Sequence, residues 1–429
     1  MGWIVSEKKP ELNHRSGFML MDNLCDSDLC VSGLYETTMF RLSMPPLPVE
    51  TSEVVFDISR LLRSHNRLFG TGVDRIDLAI GLNLVRQFGR ACHFLHAGPT
   101  GVTSIPYGLG MLLLEHLDAT WNGNEPAHPS RVAATRMAVE PHLRALAGTF
   151  RRPTVGPHTT YVVASHSGLG KVRNGMRRLD PDRTMRRLIY LHDIIPLEMP
   201  EYQRPQTRGE FQTYLRALTD APVTIASNSR DTDSRIRRLA AREKWQVENF
   251  TVLKPVLEAV PIAARMPRRE VFEYLSDPRP YFVIIGTIEP RKNHLLLLNI
   301  WRQMAEQGQA PRLCIIGKRG WENENVLDML DRCEAIRDSV VEFGNLSDHE
   351  VQTLMCASKA LLYPSFTEGL GIPMLEAAAL GVPCIASDIP VFREIAPAGT
   401  RFLDPLDGPA WTRAICSAAR NTLRERLEA

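Results

Sequence analysis

The chain of 429 residues has no CxxC pair, no Cys/His cluster and no apolar run long enough to cross a bilayer. Its net charge is only +2, so no global field draws it to nucleic acid, and no nucleic-acid partner is expected. Eight cysteines are scattered along the chain, and several, such as Cys314 and Cys384, lie in apolar strand-like runs. Such usage fits buried, reduced thiols in a cytosolic protein better than a zinc site or a disulfide framework. The opening MGWIVSEKKPELNHRSG turns polar after five residues, so no signal peptide is expected. The sequons at Asn249 and Asn345 are then expected to be chance, and the localisation cytoplasmic. No internal repeat occurs at solenoid periods. Gly108-x-Gly110 and Gly168-x-Gly170 lack the full G-x-G-x-x-G in a strand–turn–helix context, so neither marks a dinucleotide site.

What is present is an ordinary soluble composition, 44% hydrophobic and 23% charged, in a chain long enough for two domains. Residues 1–50 lack periodicity and end in the Pro-rich MPPLPVE; an irregular extension is expected there. Apolar runs at 53–58, 161–164, 188–193, 223–226 and 252–253 then alternate with helical patterns. One of these patterns is an amphipathic helix over 73–90 that follows the loop Gly70-Thr71-Gly72. Continuous apolar strands separated by helices predict a parallel sheet covered on both faces.

The pattern weakens between 255 and 280, which places an interdomain link at 261–279. A second alternation has strands at 281–286, 312–317, 340–343, 360–363 and 383–386. The predicted class is α/β, with two Rossmann-like doubly wound domains (51–260 and 280–429) facing across a cleft. Ligands of such sheets bind beyond the carboxyl ends of the strands. Arg291, Lys318, Asn345 and Glu368 all fall just after strands.

Two segments carry the chemistry. In YPSFTEGLGIPMLEAAALGVPCIASD (363–388) a buried strand breaks at Pro364, passes through a loop with Glu368, Gly369 and Gly371, and restarts as a helix at Pro373. Glycines before a helix let backbone approach a ligand, and the helix start attracts an anion. Glu368 and Glu376 thus stand beside an anion site, and carboxylates there suit a ligand that also bears hydroxyls. A nucleotide sugar has both parts. In FVIIGTIEPRKNHLLLL (282–298) a strand runs into Gly286, and Arg291 and Lys292 follow at its carboxyl end. Both are suited to gripping phosphate oxygens.

EGLGIPMLEAAALGVPCIAS resembles the E-x7-E signature of retaining GT-B glycosyltransferases of family 4, and GTIEPRKNH resembles their phosphate-clamp segment. HDIIPLEMPEY (192–202) and TGVDRIDLA (71–79) resemble N-terminal segments of members acting on bacterial surface polysaccharides, many of them mannosyltransferases. The similarity spans roughly residues 52 to 415. It implies that Glu368 contacts the donor sugar and that Glu376 binds the ribose hydroxyls. It further implies a diphosphate clamp of Arg291 and Lys292 with the backbone N–H groups of Leu370, Gly371 and Ile372, and donor binding by Gly369. Gly286 would admit the donor, Asn345 and Leu346 would meet the base, and His192 would face the transferred carbon. Thr71 and Gly72 would form an acceptor-side loop.

The implied reaction is hexose transfer from a GDP- or UDP-sugar to a glycan or lipid-linked acceptor, with no protein nucleophile, metal or cofactor. No DxD-like motif stands in a loop suited to a metal, which agrees. Family members end with a helix crossing back to the N-terminal domain; the chain ending at Ala429 leads one to expect a short or missing crossover. The basic run KVRNGMRRLDPDRTMRR (171–187) fits either peripheral contact with anionic lipid or a solvated face. Two other readings stay open: a GT-B-fold sugar-nucleotide epimerase, and a nucleotide-sugar-binding partner subunit without turnover.

Overall fold

The computed structural model describes residues 34–42, 47, 50–67, 70–98, 101–121, 155–263 and 266–420. Within the stretch expected to be irregular, strand β1 (Leu34–Arg41) pairs antiparallel along its whole length with β9 (Val256–Ala263). β1 contacts the Gly72–Phe88 and Asp348–Cys356 helices, and β9 contacts the Ile372–Ala379 helix. Their ribbon therefore bridges the two sheets described next. Periodicity misses such a ribbon because neither strand belongs to a sheet with two covered faces.

The N-terminal sheet has seven strands: β2 (Glu53–Asp57), β3 (Cys92–Gly98), β4 (Gly101–Ile105), β5 (Thr159–Val163), β6 (Arg186–Leu191), β7 (Val223–Ser227) and β8 (Val247–Val252). Their order is β4-β3-β2-β5-β6-β7-β8, parallel except for the antiparallel β3–β4 edge. Every residue of β5 and β7 is buried, as both faces of a parallel sheet require. Separate apolar clusters cover the two faces, one around Phe56, Phe94 and Leu114 and the other around Tyr161, Ile189 and Tyr214.

The C-terminal sheet is all-parallel and has six strands: β10 (Tyr281–Ile285), β11 (Arg312–Ile316), β12 (Val340–Phe343), β13 (Leu361–Tyr363), β14 (Cys384–Ser387) and β15 (Arg401–Leu403). The order β12-β11-β10-β13-β14-β15 reverses direction between β10 and β13. That reversal opens a crevice beyond the strands' carboxyl ends, where doubly wound sheets hold their ligands. The N-terminal sheet reverses in the same way between β2 and β5. The 261–279 segment expected as a link holds the end of β9 and the Arg269–Leu275 helix, whose Val271, Tyr274 and Leu275 join the C-terminal core.

Candidate functional site

At the β10/β13 reversal two loops are tied together. Past β10 the chain turns through Gly286 at φ 137°, and Ile288 N–H donates to the Lys318 carbonyl at 2.8 Å. Pro290–Lys292 forms a single 3₁₀ turn before the His294–Glu306 helix. Past β13, Phe366 N–H donates to the Arg291 carbonyl at 2.9 Å, so the loop carrying Glu368 lies on the loop carrying the basic pair.

The side chains converge on one carboxylate. Arg291 Nη1 donates to Glu368 Oε2 at 2.5 Å, and Lys292 Nζ to Oε1 at 2.5 Å. Ser365 Oγ also donates to Oε1, at 2.9 Å. Lys292 Nζ further reaches the Tyr363 hydroxyl at 3.1 Å, and the other face of the Arg291 guanidinium pairs with Glu289 at 2.6 Å. Gly286 sits beside this group, 3.3 Å from Lys292 Cε at the place a Cβ would occupy.

Glu289, Lys292 and Glu368 are all buried, so each charge depends on its partners. Burial alone would push Glu368 up, but Arg291 and Lys292 outweigh it and hold the carboxyl at about 2. Burial pushes Glu289 above its ordinary value despite Arg291. Burial also lowers Lys292, with the like charge of Arg291 adding to it against the pull of Glu368. Two cations and two carboxylates are thus gathered at the crevice, where the Arg291 side chain keeps some exposure.

Gly286, Arg291, Lys292, Glu368 and Gly369 are therefore brought together. Glu376 makes no hydrogen bond to this group among the described residues, although its charge acts on the Tyr363 hydroxyl beside Lys292. It lies on the Ile372–Ala379 helix, where burial pushes its carboxyl up to about 7 while Arg75 of the N-terminal domain pulls it back. Arg75 is paired with Asp348, so this point joins the two domains. Asn345 stands just past β12 at φ 54°, with Leu346 buried behind it. Leu370 is buried, and Gly371 caps the Ile372–Ala379 helix at φ 102°.

The N-terminal domain closes directly on this loop. Thr71 caps the Gly72–Phe88 helix through a capping box with Asp74, and a Cβ on Gly72 would lie 2.3 Å from Ile372 Cδ1. Ile372 itself packs on the N-terminal core. His192 lies against the loop carrying Glu368 and Gly369 through its carbonyl, whereas its ring was expected to face the cleft. The ring is 4% exposed, its Nε2 is 2.6 Å from the Ala164 carbonyl, and it packs edge-on to Tyr190. Burial, with His166 adding to it, pushes that imidazole down to about 3, so it is neutral. The cause is local: β6 buries every residue from Arg187 to Leu191, and the ring continues that buried row.

Several participants escape sequence reasoning. Ser229 and Thr232, both fully buried, donate their hydroxyls to the Gly369 carbonyl at 2.9 and 2.8 Å. Arg235 Nη1 donates to the Glu368 carbonyl at 3.2 Å. Glu394 accepts from Arg230 N–H and Asp231 N–H at the start of the Arg230–Glu243 helix and pairs with Lys254 at 2.5 Å. The N-cap serine in SNSRDT was the one available signal; its second bond, across 140 residues, has no local signature.

Comparison with known proteins agrees with this geometry. The two facing parallel sheets form the GT-B fold: sucrose-phosphate synthase from Thermosynechococcus elongatus superposes with a TM-score of 0.51, covering 88% of this chain and 94% of that one at 16% identity. Residues 268–427 match the family described as glycosyl transferases group 1. The serotype-specific mannosyltransferase WbdA of Escherichia coli is 28% identical over 214 residues, 48% of this chain. The chain spans about a quarter of that relative's length (26%). O-antigen chain mannosyltransferase B of Escherichia coli is 27% identical over 236 residues, covering 53% of this chain and 59% of that protein. Among the described residues no helix is long and apolar enough to cross a membrane.

Proposed function

We propose that the protein is a retaining family 4 glycosyltransferase. In this reading it moves a hexose, mannose by preference, from a nucleotide diphosphate sugar to a hydroxyl of a glycan or lipid-linked oligosaccharide during bacterial surface polysaccharide synthesis. The observation that carries this reading is the convergence of Arg291 and Lys292 on Glu368 at the β10/β13 crevice. The mannosyltransferase relatives support it, and they supply the preference for mannose and for a polysaccharide acceptor.

The donor diphosphate displaces the Glu368 carboxylate from the two cations, which then face the oxygens on which charge grows as the sugar leaves. The freed Glu368 carboxylate accepts hydrogen bonds from sugar hydroxyls. Glu376, near the start of its helix, accepts from the ribose. The acceptor oxygen bonds to the anomeric carbon on the face from which the diphosphate departs, and a leaving phosphate oxygen takes the acceptor's proton. Atoms and charge balance without a protein nucleophile, and Arg291 and Lys292 supply the positive charge a metal would otherwise bring. Any contact with a membrane is peripheral, on its cytoplasmic face.

The test is incubation of the protein with labelled GDP-mannose and UDP-hexoses, with and without lipid-linked oligosaccharide, and assignment of the product anomer by NMR. Acceptor-dependent transfer with retained configuration is expected. Turnover of the nucleotide sugar to an epimer without acceptor, or an inverted product, overturns it.

A further inference from the structure

Two successive carbonyls of the loop after β13 are held from the other domain. Ser229 and Thr232 donate to the Gly369 carbonyl, and Arg235 donates to the Glu368 carbonyl at 3.2 Å. All three belong to the start of the Arg230–Glu243 helix, with Ser229 as its N-cap. The same end is fastened a third time, where Arg230 N–H and Asp231 N–H donate to Glu394 at 3.0 and 3.1 Å.

Arg235 is itself fixed. Its Nε donates to Glu198 Oε2 at 2.7 Å, its Nη2 reaches the same oxygen, and its Nη1 lies 3.3 Å from Asp231 Oδ2. A guanidinium is planar with donors in set directions, so binding Glu198 along one edge leaves Nη1 to reach the loop. Arg238, on the next turn, is exposed and bonds among the described residues only to Ser234 Oγ, at 2.8 Å. The loop is therefore held by one particular arginine rather than by a general basic face.

The N–H groups of the same loop are the reverse case. Gly369, Leu370 and Gly371 are buried, yet none of their N–H groups has a hydrogen-bond partner among the described residues. Buried backbone N–H groups are seldom left so, and successive ones make a concavity for an anion. In a planar trans peptide the C=O and N–H point in opposite directions. The Glu368 carbonyl shares its peptide with Gly369 N–H, and the Gly369 carbonyl shares its peptide with Leu370 N–H. Holding both carbonyls on the Arg230–Glu243 helix therefore turns both N–H groups away from that helix.

We propose that Arg235, helped by Ser229 and Thr232, is a positioning residue of the transfer reaction, and that it presents the Gly369 and Leu370 N–H groups to the sugar-bearing phosphate of the donor. The proposal rests on the reading above for the donor diphosphate. Arg235 acts through the loop and does not touch the donor. When the domains part, its bond and those of the two hydroxyls are lost together, and both peptides are free to rotate. The anion cradle is thus completed only on closure, against the phosphate on which charge grows as the sugar leaves.

The experiment is equilibrium titration of GDP, GMP, UDP and UMP into the full-length wild type, Arg235→Ala, Ser229→Ala/Thr232→Val and Arg238→Ala, with thermal melting to check each fold. The quantity read is the ratio of diphosphate to monophosphate affinity. It isolates the outer phosphate, because lost folded protein or a damaged base site moves both nucleotides alike. Arg235→Ala should lower the ratio by roughly tenfold and leave the monophosphate affinity as it was. The double variant, which changes no charge, should lower it too, and Arg238→Ala should leave it unchanged. An unchanged ratio in Arg235→Ala overturns the proposal, as does an equal fall in Arg238→Ala. Should Arg235→Ala not fold, the double variant decides by the same criterion. If the wild type binds neither nucleotide, the glycosyltransferase reading fails, and inorganic pyrophosphate against orthophosphate then reads the cradle alone. No pyrophosphate binding, or a ratio indifferent to Arg235→Ala, overturns the cradle as well.

Discussion

Gly369 lies against the carbonyl oxygen of His192 so closely that a Cβ built on the glycine would stand 2.2 Å from that oxygen. The contact runs from the loop after β13 to the end of β6, from one domain to the other. Backbone meets backbone there, so no flexible side chain can yield. Gly369→Ala is therefore expected to hold the domains apart: turnover should fall by about tenfold or more, as for other misplacements of reacting groups. Solution scattering should show a more extended particle. A variant with wild-type turnover and dimensions would show that the closed contact is not used.

Ser229 and Thr232 share one acceptor, the Gly369 carbonyl. Either hydroxyl alone still satisfies it, so Thr232→Val should cost little, whereas Ser229→Ala should cost about 1 kcal/mol through the lost N-cap bond from Thr232 N–H. Together they leave a buried carbonyl unpaired and should cost about 1–3 kcal/mol more than the sum of the single changes. A double-mutant cycle on kcat and on thermal stability measures the excess. Strict additivity would mean that the two hydroxyls do not act on the same group.

Glu368→Gln removes the charge that pairs with buried Lys292 and part-buried Arg291. The loss expected at pH 7 is about 3 kcal/mol, the scale for breaking a buried pair. Because the folded carboxyl is held down at about 2, its contribution is present above the unfolded value of about 4.3 and fades as pH falls toward 2. The stability gap between wild type and variant, from denaturant titrations, should thus narrow below about pH 4. A gap independent of pH would contradict the ionised pair.

Asp77 presents the opposite case. It is fully buried in the Gly72–Phe88 helix, and neither of its carboxylate oxygens has a hydrogen-bond partner among the described residues. Burial pushes it well above the ordinary carboxylate range, with Arg60 pulling it back. A raised folded value favours folding at low pH, and that advantage is lost as pH climbs from about 4 through the folded value. Asp77→Asn should therefore stabilise the protein at pH 7 and give no gain below about pH 4. Equal melting temperatures for the two proteins across that range would show that Asp77 has a partner.

Much of this architecture was legible in the sequence because parallel strands write themselves as unbroken apolar runs. The strands around Val55, Val162, Ile189, Ile225, Ile284 and Ile315 all read that way. The β3–β4 edge did not, since His93 and His96 interrupt CHFLHAG and GVTSI is short and half polar. In the site, Arg291, Lys292 and Glu368 announced themselves by standing after strands. That they neutralise one another did not show, because the bond between positions 291 and 368 depends on β10 and β13 being neighbours. The Ser229–Gly369 bond is likewise a product of domain closure, which no local pattern encodes; the inward turn of the His192 ring follows instead from its contacts with Ala164 and Tyr190 inside its own domain.

The most direct measurement is the equilibrium affinity of nucleotide sugars, GDP-mannose first and UDP-hexoses beside it, for the wild type, Arg291→Ala and Glu376→Ala. If the β10/β13 crevice is the donor site, the wild type binds at least one of them. Arg291→Ala should weaken that binding by roughly tenfold or more, and Glu376→Ala should weaken sugar nucleotide and free nucleoside diphosphate alike. Undiminished affinity in Arg291→Ala, with turnover intact, would contradict it.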